Sequence, residues 1–344
     1  MLGRERREVE RKFVSILRIL KDTQEPVGAR IIAQRLKDYG VDLRERAVRY
    51  HLKIMDERGL TRLVGRDGRL ITEQGKEELR NALVGDKVGF IISKIELLAY
   101  RTTFDWRKRS GQVPVNISFF PRARWQKALD TMRNAFKAGL CVSDLVAVAQ
   151  EGERLGAAIV PPGKIGLATV CSIIINGALL KAGIPMDSRF GGILEIRERK
   201  PLRFIELIEY SGSSLDPSEI YITSRMTSVA QAARTGSGKI LANFREIPAL
   251  CKPLAEEVIA ALGEAGLGGV VMLGETSEPL CEIPVGPGKL GMILLGGLNP
   301  VAAAVESGIE AENAAMSGVI DYEDLTSFWK ITPLQESPVS VRSG

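Results

Sequence analysis

Arg44, Arg46, Arg49, Tyr50 and Lys53 fall in one stretch, GVDLRERAVRYHLKIMDERGL at 40–60. Guanidinium groups donate paired hydrogen bonds to base edges in a DNA major groove, while ammonium groups contact phosphates. Wound as a helix, the stretch turns Leu43, Ala47, Leu52, Met55 and Leu60 inward and leaves the cations outside. Arg44, Arg46, Arg49 and Tyr50 are the base-reading candidates, and Lys53 the phosphate contact. Arg62, Arg66 and Arg69 follow in TRLVGRDGRLIT at 61–72, a short hairpin that offers them to phosphates or a minor groove. His51, inside the same helix, is either a packing residue or a phosphate contact.

Such a face needs helices behind it. A first helix is expected from about Arg6 to Lys21, with Phe13, Ile16, Leu17 and Leu20 on one side. Pro26 and Gly28 break the chain before a second helix, Ala29 to Tyr39, closed by Gly40. Asp42 is the expected cap of the third helix and Gly59 its end. TEQGKEELR then begins a helix leading out. Helices followed by a hairpin wing make a winged helix-turn-helix, expected over 1–82. Charge agrees: residues 1–80 hold 20 Lys/Arg against 14 Asp/Glu, whereas the rest of the chain holds 27 against 28. The basic surplus sits wholly at the front, where a polyanion would bind. A helical protein-interaction module is the competing reading.

Composition narrows the classes further. The chain has 344 residues, 45% of them hydrophobic, and no run long enough to span a membrane. Its charged start lacks a signal-peptide pattern, so a cytoplasmic protein is expected. Four dispersed cysteines and a single histidine form no zinc pattern and no histidine-based catalytic set. No metal, no cofactor and no catalytic residues are expected.

The remainder repeats itself. Pro162-Gly163-Lys164-Ile165-Gly166 returns as Pro287-Gly288-Lys289-Leu290-Gly291, and Gly183-Ile184 as Gly308-Ile309, both offset by 125. Ser110-Gly111, Asn116 and Pro121 return as Ser237-Gly238, Asn243 and Pro248, offset by 127. Ordered anchors of this kind indicate an internal duplication, with pseudo-repeats at about 86–200 and 201–332. Each copy reads as a strand (88–104; 202–211), a second strand, an amphipathic helix, a buried strand, the PGK loop, a small-residue helix and a closing strand. The fold class is therefore α+β: a winged helix-turn-helix followed by a duplicated α/β regulatory domain at 83–332, each half with a mixed sheet. Side-by-side halves would leave a ligand cleft between them. The Ser/Pro-rich tail, 333–344, is expected to be disordered. TGSGK at 235–239 lacks the spacing of a phosphate loop and reads as a hairpin turn.

Several long segments resemble the NrpR family of nitrogen-assimilation repressors: GFIISKIELLAYRTTFD at 89–105, GKIGLATVCSIIINGALLKAGIP at 163–185, RFGGILEI at 189–196 and GLNPVAAAVESGI at 297–309. The likeness covers nearly the whole chain. It implies a repressor, homodimeric or larger, that binds a palindromic operator in double-stranded DNA. It also implies release by 2-oxoglutarate.

A keto dicarboxylate needs cationic or amide donors. Given that implied ligand, Lys164 to Asn176 is the favoured segment. Thr169, Cys171 and Ser172 are small polar residues in an apolar run, and their second-copy equivalents are Leu294, Gly296 and Gly297. Lys164, Lys289 and Arg189 are carboxylate candidates that can equally be solvated, and Cys171 can be a small core residue. Two other functions stay open. One is a co-repressor that works through a partner regulator with weak DNA affinity of its own. The other is a keto-acid enzyme resting on Cys171 and Lys164.

Overall fold

The computed structural model describes residues 2–23, 25–38, 41–81 and 89–331. Tyr39 and Gly40, the expected boundary at 82–83 and the tail from 333 lie outside the described residues.

Three helices open the chain: α1 (Leu2–Lys21), α2 (Ala29–Asp38) and α3 (Glu45–Glu57). Phe13, Ile16, Leu17 and Leu20 of α1 meet Ile32 and Leu36 of α2 and Val48, Leu52 and Met55 of α3 in one core. Each such side chain fully buried is worth about 1.5–3 kcal/mol. The buried stripe of α3 differs slightly from expectation: Val48 and His51 are inside, while Leu43 and Ala47 are only half-buried. Asp42 does not cap α3. The cap position is Arg44, with extended backbone and no side-chain cap bond. Gly59 ends the helix at φ +71° as expected.

Strands β1 (Thr61–Val64) and β2 (Gly68–Ile71) form the wing, pairing Thr61 with Ile71 and Val64 with Gly68. Arg69 and Val27 exchange backbone hydrogen bonds of 3.0 and 3.1 Å, which fastens the wing to the segment before α2. Gly68 permits that approach, because a Cβ there would lie 2.3 Å from the Val27 carbonyl carbon and φ is +134°. Helix α4 (Glu73–Asn81) follows, with Thr72 Oγ1 accepting from the Gly75 N–H at 3.0 Å.

The described part of the segment at 88–104, from Gly89 on, is not a strand. It forms helix α5 (Phe90–Arg101), which buries Ile91, Ile95, Leu98 and Ala99. That spacing is a helical stripe, and the density of apolar residues around it disguised the period. The copies therefore begin differently. The first copy continues with β3 (Gln112–Pro121), α6 (Trp125–Lys137), β4 (Leu145–Gln150), the short β5 (Arg154–Leu155) and β6 (Ala158–Ile159), β7 (Lys164–Val170), α7 (Ile173–Lys181) and β8 (Asp187–Arg197). The second has β9 (Lys200–Glu209), α8 (Pro217–Thr223), α9 (Val229–Thr235), β10 (Gly238–Pro248), α10 (Lys252–Glu264), β11 (Val270–Leu273), β12 (Lys289–Leu295), α11 (Asn299–Glu306), β13 (Glu312–Asp321) and β14 (Thr326–Ser327). TGSGK is no hairpin turn: Gly236, at φ +77°, closes α9 and the chain runs on into β10.

Two five-stranded sheets result, in the orders β13-β3-β7-β4-β14 and β11-β12-β10-β8-β9. Every strand pair in them is antiparallel, so neither sheet is mixed. Strand-helix alternation suggested parallel neighbours, but β7 returns between β3 and β4, and β12 between β10 and β11. The sheets also trade strands. The closing strand of the first copy, β8, pairs with β10 of the second, and the closing strand of the second, β13, pairs with β3 of the first.

Equivalent ion pairs hold both exchanges. Lys164 binds Glu312, and Lys289 binds Asp187 at 3.0 Å, each pair displaced from the other by the repeat offset. Both hydrophobic clusters of the domain are shared as well. One joins Trp125 and Met132 to Phe244 and Val301, and the other joins Val113 and Ile174 to Val258 and Met292.

The first copy thus supplies only three of the five strands of its sheet, β13 and β14 coming from the second. Residues 86–200 expressed alone should give an unfolded chain or a strand-swapped dimer, read by circular dichroism and light scattering. A well-folded monomer would show that the exchange is dispensable.

Candidate DNA interface and regulatory pocket

On α3 and its cap, Arg44, Arg46, Arg49, Tyr50 and Lys53 are all exposed. Arg49 pairs with Glu45 one turn away, and Lys53 approaches Glu57 at 4.0 Å. Exposed pairs of this kind contribute only about 0.3–0.5 kcal/mol, so a phosphate or base edge can displace them. Arg62 and Arg66 are exposed on the wing.

Arg69 corrects the expectation of a free wing cation. It is half-buried and its Nε donates to Asp56 Oδ2 at 2.7 Å. Thr61 Oγ1 donates to the other oxygen of the same carboxylate. Asp56, near the end of α3, therefore grips both wing strands and fixes their angle to the helix. His51 is a packing residue, buried with its ring edge-on to Phe13 at 5.8 Å. Burial, followed by the charge of Lys12, lowers its pKa.

The head contacts the domain that follows. Arg18 lies 4.4 Å over the ring of Phe90, the first residue of α5. Arg154 Nη2 donates to both carboxylate oxygens of Glu25 at 3.0 Å.

Inside the regulatory domain a small polar cavity of about 20 Å³ lies where the copies meet. Repeat-equivalent parts face each other there: Asn116 and Asn243, and Cys171-Ser172 and Gly296-Gly297. The backbone echoes the symmetry. Cys171 N donates to Pro114 O at 2.9 Å, and Gly296 N to Leu241 O at 2.8 Å. Gly297 closes one side, since a Cβ there would meet Val170 O at 2.4 Å and Asn116 Nδ2 at 2.6 Å. The asparagines bond differently. Asn116 Oδ1 accepts from the Met316 N–H at 3.0 Å, whereas Asn243 donates to Ser172 Oγ at 3.1 Å and accepts from the Tyr210 hydroxyl.

Of the six residues expected around an effector, only Cys171 and Ser172 line this cavity. Thr169 is buried, with Oγ1 lacking a hydrogen-bond partner among the described residues, but it does not line the cavity. The three cations are engaged elsewhere. Lys164 is taken by Glu312, while Arg189 and Lys289 both reach buried Glu246 at 3.0 Å. Burial pushes Glu246 up, but hydrogen bonds from Lys289 and Gly286 N, with the charge of Arg189, hold it below its usual value. Cys171 is pushed up to about 11 by burial, so its thiol stays protonated near neutrality.

Sequence reasoning passed over Tyr210, Asp216 and Arg245, which also line the cavity. Asp216 caps α8, accepting from Ser218 N at 2.8 Å, and burial raises its pKa. Glu219, one turn into α8, accepts from the Ala315 N–H at 2.7 Å. Lys94 Nζ donates to Ala315 O at 3.1 Å, so α5, α8 and β13 meet at one point. That point is a bulge, where the β13–β3 register shifts between Ala314 and Gly318 and Met316 takes φ +53°. Burial, then the charge of Asp216, pushes Glu219 up to about 7, while Lys94 and Lys21 of α1 pull it down. The only advance signal for any of this was the repeat match of Asn116 with Asn243.

A family profile described as NrpR regulatory domains NRD1 and 2 matches residues 88–327, and one described as the ribonuclease R winged-helix domain matches 14–79. The global nitrogen regulator NrpRI of Methanosarcina mazei is 43% identical over 92% of this chain and 98% of its own length. The chain belongs to the NrpR family. The NrpR global nitrogen regulator of Methanococcus maripaludis is 33% identical over 93% of this chain, which spans 55% of that relative. The crystal structure of a nitrogen repressor-like protein from Methanococcus jannaschii matches with a TM-score of 0.59 and 30% identity, covering 70% of this chain and 98% of that one. NrpR membership joins the winged head to the duplicated domain in one regulator fold.

Two consequences are measurable. Asp56→Ala should release the wing and lower unfolding free energy by about 1–3 kcal/mol in a denaturant melt, because it strands a half-buried guanidinium. Glu219, with its raised pKa, contributes stability that is full below 4.5 and lost as pH rises through about 7. Glu219→Gln should flatten that decline: melting temperatures should coincide at about pH 4, with the variant the higher at about pH 8.

Proposed function

We propose that this chain is a sequence-specific DNA-binding repressor of nitrogen-assimilation genes. It binds a palindromic operator as a homodimer and is released when 2-oxoglutarate binds the regulatory domain. The observation that carries the DNA-binding part is the row of exposed cations on α3, with Arg62 and Arg66 on a wing held at a fixed angle. The names of the relatives, global nitrogen regulators, support the target genes. Two-fold operators match two-fold proteins, which favours a dimer. Arg44, Arg46, Arg49 and Tyr50 read bases; Lys53 and the exposed wing arginines bind phosphate.

Gel shifts of the full chain on the region upstream of its own gene, with and without 2-oxoglutarate, test the proposal directly. Loss of the shifted band with millimolar ligand is expected, and a band indifferent to ligand would refute the effector. Arg49→Ala should cost about 1–3 kcal/mol on the specific site. Arg66→Ala should weaken all sequences alike and reduce the salt slope by about one.

A second reading is a co-regulator that acts with a partner chain; the chain spans 55% of the length of two relatives. Binding to random duplex as tightly as to the upstream region would favour that reading.

A further inference from the structure

The two halves of the domain close the ends of their amphipathic helices differently. Ala138 is the C-cap of α6 and Ala265 the C-cap of α10, a repeat-equivalent pair. Carbonyls at a helix end have no partner within the helix and call for a donor from outside. In one half Tyr322, just past β13, supplies it. Its hydroxyl donates to Ala265 O at 2.8 Å, and its ring centre lies 4.8 Å from that of buried Phe104. In the other half no hydrogen bond from the described residues reaches Ala138 O.

Register identifies what stands in place of the two rings. Tyr322 N donates to Gly111 O at 2.8 Å, and Ile196 pairs with Gly238, the repeat match of Gly111. Phe104 and Ala232 press on the same two glycines. A Cβ on Gly111 would lie 3.2 Å from Phe104 Cα, and one on Gly238 would lie 3.0 Å from Ala232 Cβ. An isoleucine and an alanine thus occupy the positions of a tyrosine and a phenylalanine. There a cleft of about 290 Å³ opens, bordered by Ala138, Ile196 and Ala232, with Val270 and Val271 of the edge strand β11. That volume is near the low end for ligand pockets, about 300–1,000 Å³. The cleft shares no lining residue with the polar cavity at Asn116 and Asn243.

Among the described residues that line the cleft, Arg199 alone is charged. It is exposed, runs over Gly236 at the end of α9, and forms no ion pair with a described residue. Burial, then the charge of Asp144, pushes the Cys141 thiol up to about 12, so that wall stays neutral. We infer that this cleft binds a small planar aromatic acid. The ring fills the place that Tyr322 and Phe104 fill in the other half, a hydroxyl or ring N–H donates to Ala138 O, and the acid group pairs with Arg199. The cleft and its ligand are independent of the effector reading.

Calorimetry on the full chain with 4-hydroxyphenylacetate, 4-methylphenylacetate and cyclohexylacetate tests the site. The first should bind. The second lacks the donor and should bind about threefold to tenfold more weakly. The third lacks the flat ring and should bind more weakly still. Ile196→Tyr gives this half the ring of the other, so it should abolish binding without lowering the melting temperature. Arg199→Ala should weaken binding of 4-hydroxyphenylacetate at least about tenfold. No heat with that acid at millimolar concentration, or undiminished binding by a folded Ile196→Tyr, overturns the site. If Ile196→Tyr does not fold, wild-type affinity in Arg199→Ala overturns it. Cyclohexylacetate binding as tightly as 4-hydroxyphenylacetate overturns the aromatic class, and equal binding of 4-methylphenylacetate overturns the contact to Ala138 O.

Discussion

The exposed backbone edge of β3, and of its repeat partner β10, is what the regulatory domain is organised around. Each edge carries N–H and C=O groups that must be paired when buried. In neither copy does the chain's own closing strand do it. β13 crosses to β3 and β8 crosses to β10, and the shared clusters then bury side chains from both copies together. Once the strands cross, the copies cannot part, and the ends of their small-residue helices are forced face to face. The polar cavity is the product of that confrontation, because Asn116, Asn243 and the Cys171-Ser172 and Gly296-Gly297 corners arrive there by symmetry.

Symmetry sets the frame, and departures from it supply the chemistry. The pairs Lys164–Glu312 and Lys289–Asp187 are kept in both copies and serve the exchange. Arg245 and Tyr210 belong to one copy only, Ser118 standing opposite Arg245. Helix α5 leads the first copy where β9 leads the second, and it brings Lys94 to the bulge in β13. The frame around the cavity is therefore two-fold while the polar groups that line it are one-sided.

Much of the head was readable because its signals are local. The apolar stripe of α3, the glycine at its end and the glycine turn of the wing each act within a few residues. The duplication was readable because anchors repeat at a constant offset. What escaped depends on contacts distant along the chain. Lys164 and Lys289 looked like loop cations because their acidic partners lie far away. Arg69 looked like a wing contact until Asp56 was seen beneath it. Arg245 in ILANFREIP reads as an ordinary polar break in a strand, and only the exchange of β8 and β13 encloses it. The apolar run at 88–104 was misread because a helix that buries one side and half-buries its flanks shows little periodicity.

Asp56 carries a mechanical implication. By clasping both wing strands to the end of α3, it ties helix and wing into one unit. Beyond that unit, Arg18 over Phe90 and Arg154 on Glu25 join the head to the domain that follows. In the proposed homodimer, where half-sites lie about 34 Å apart, a swivel at those contacts would change the span between the heads while leaving each one intact.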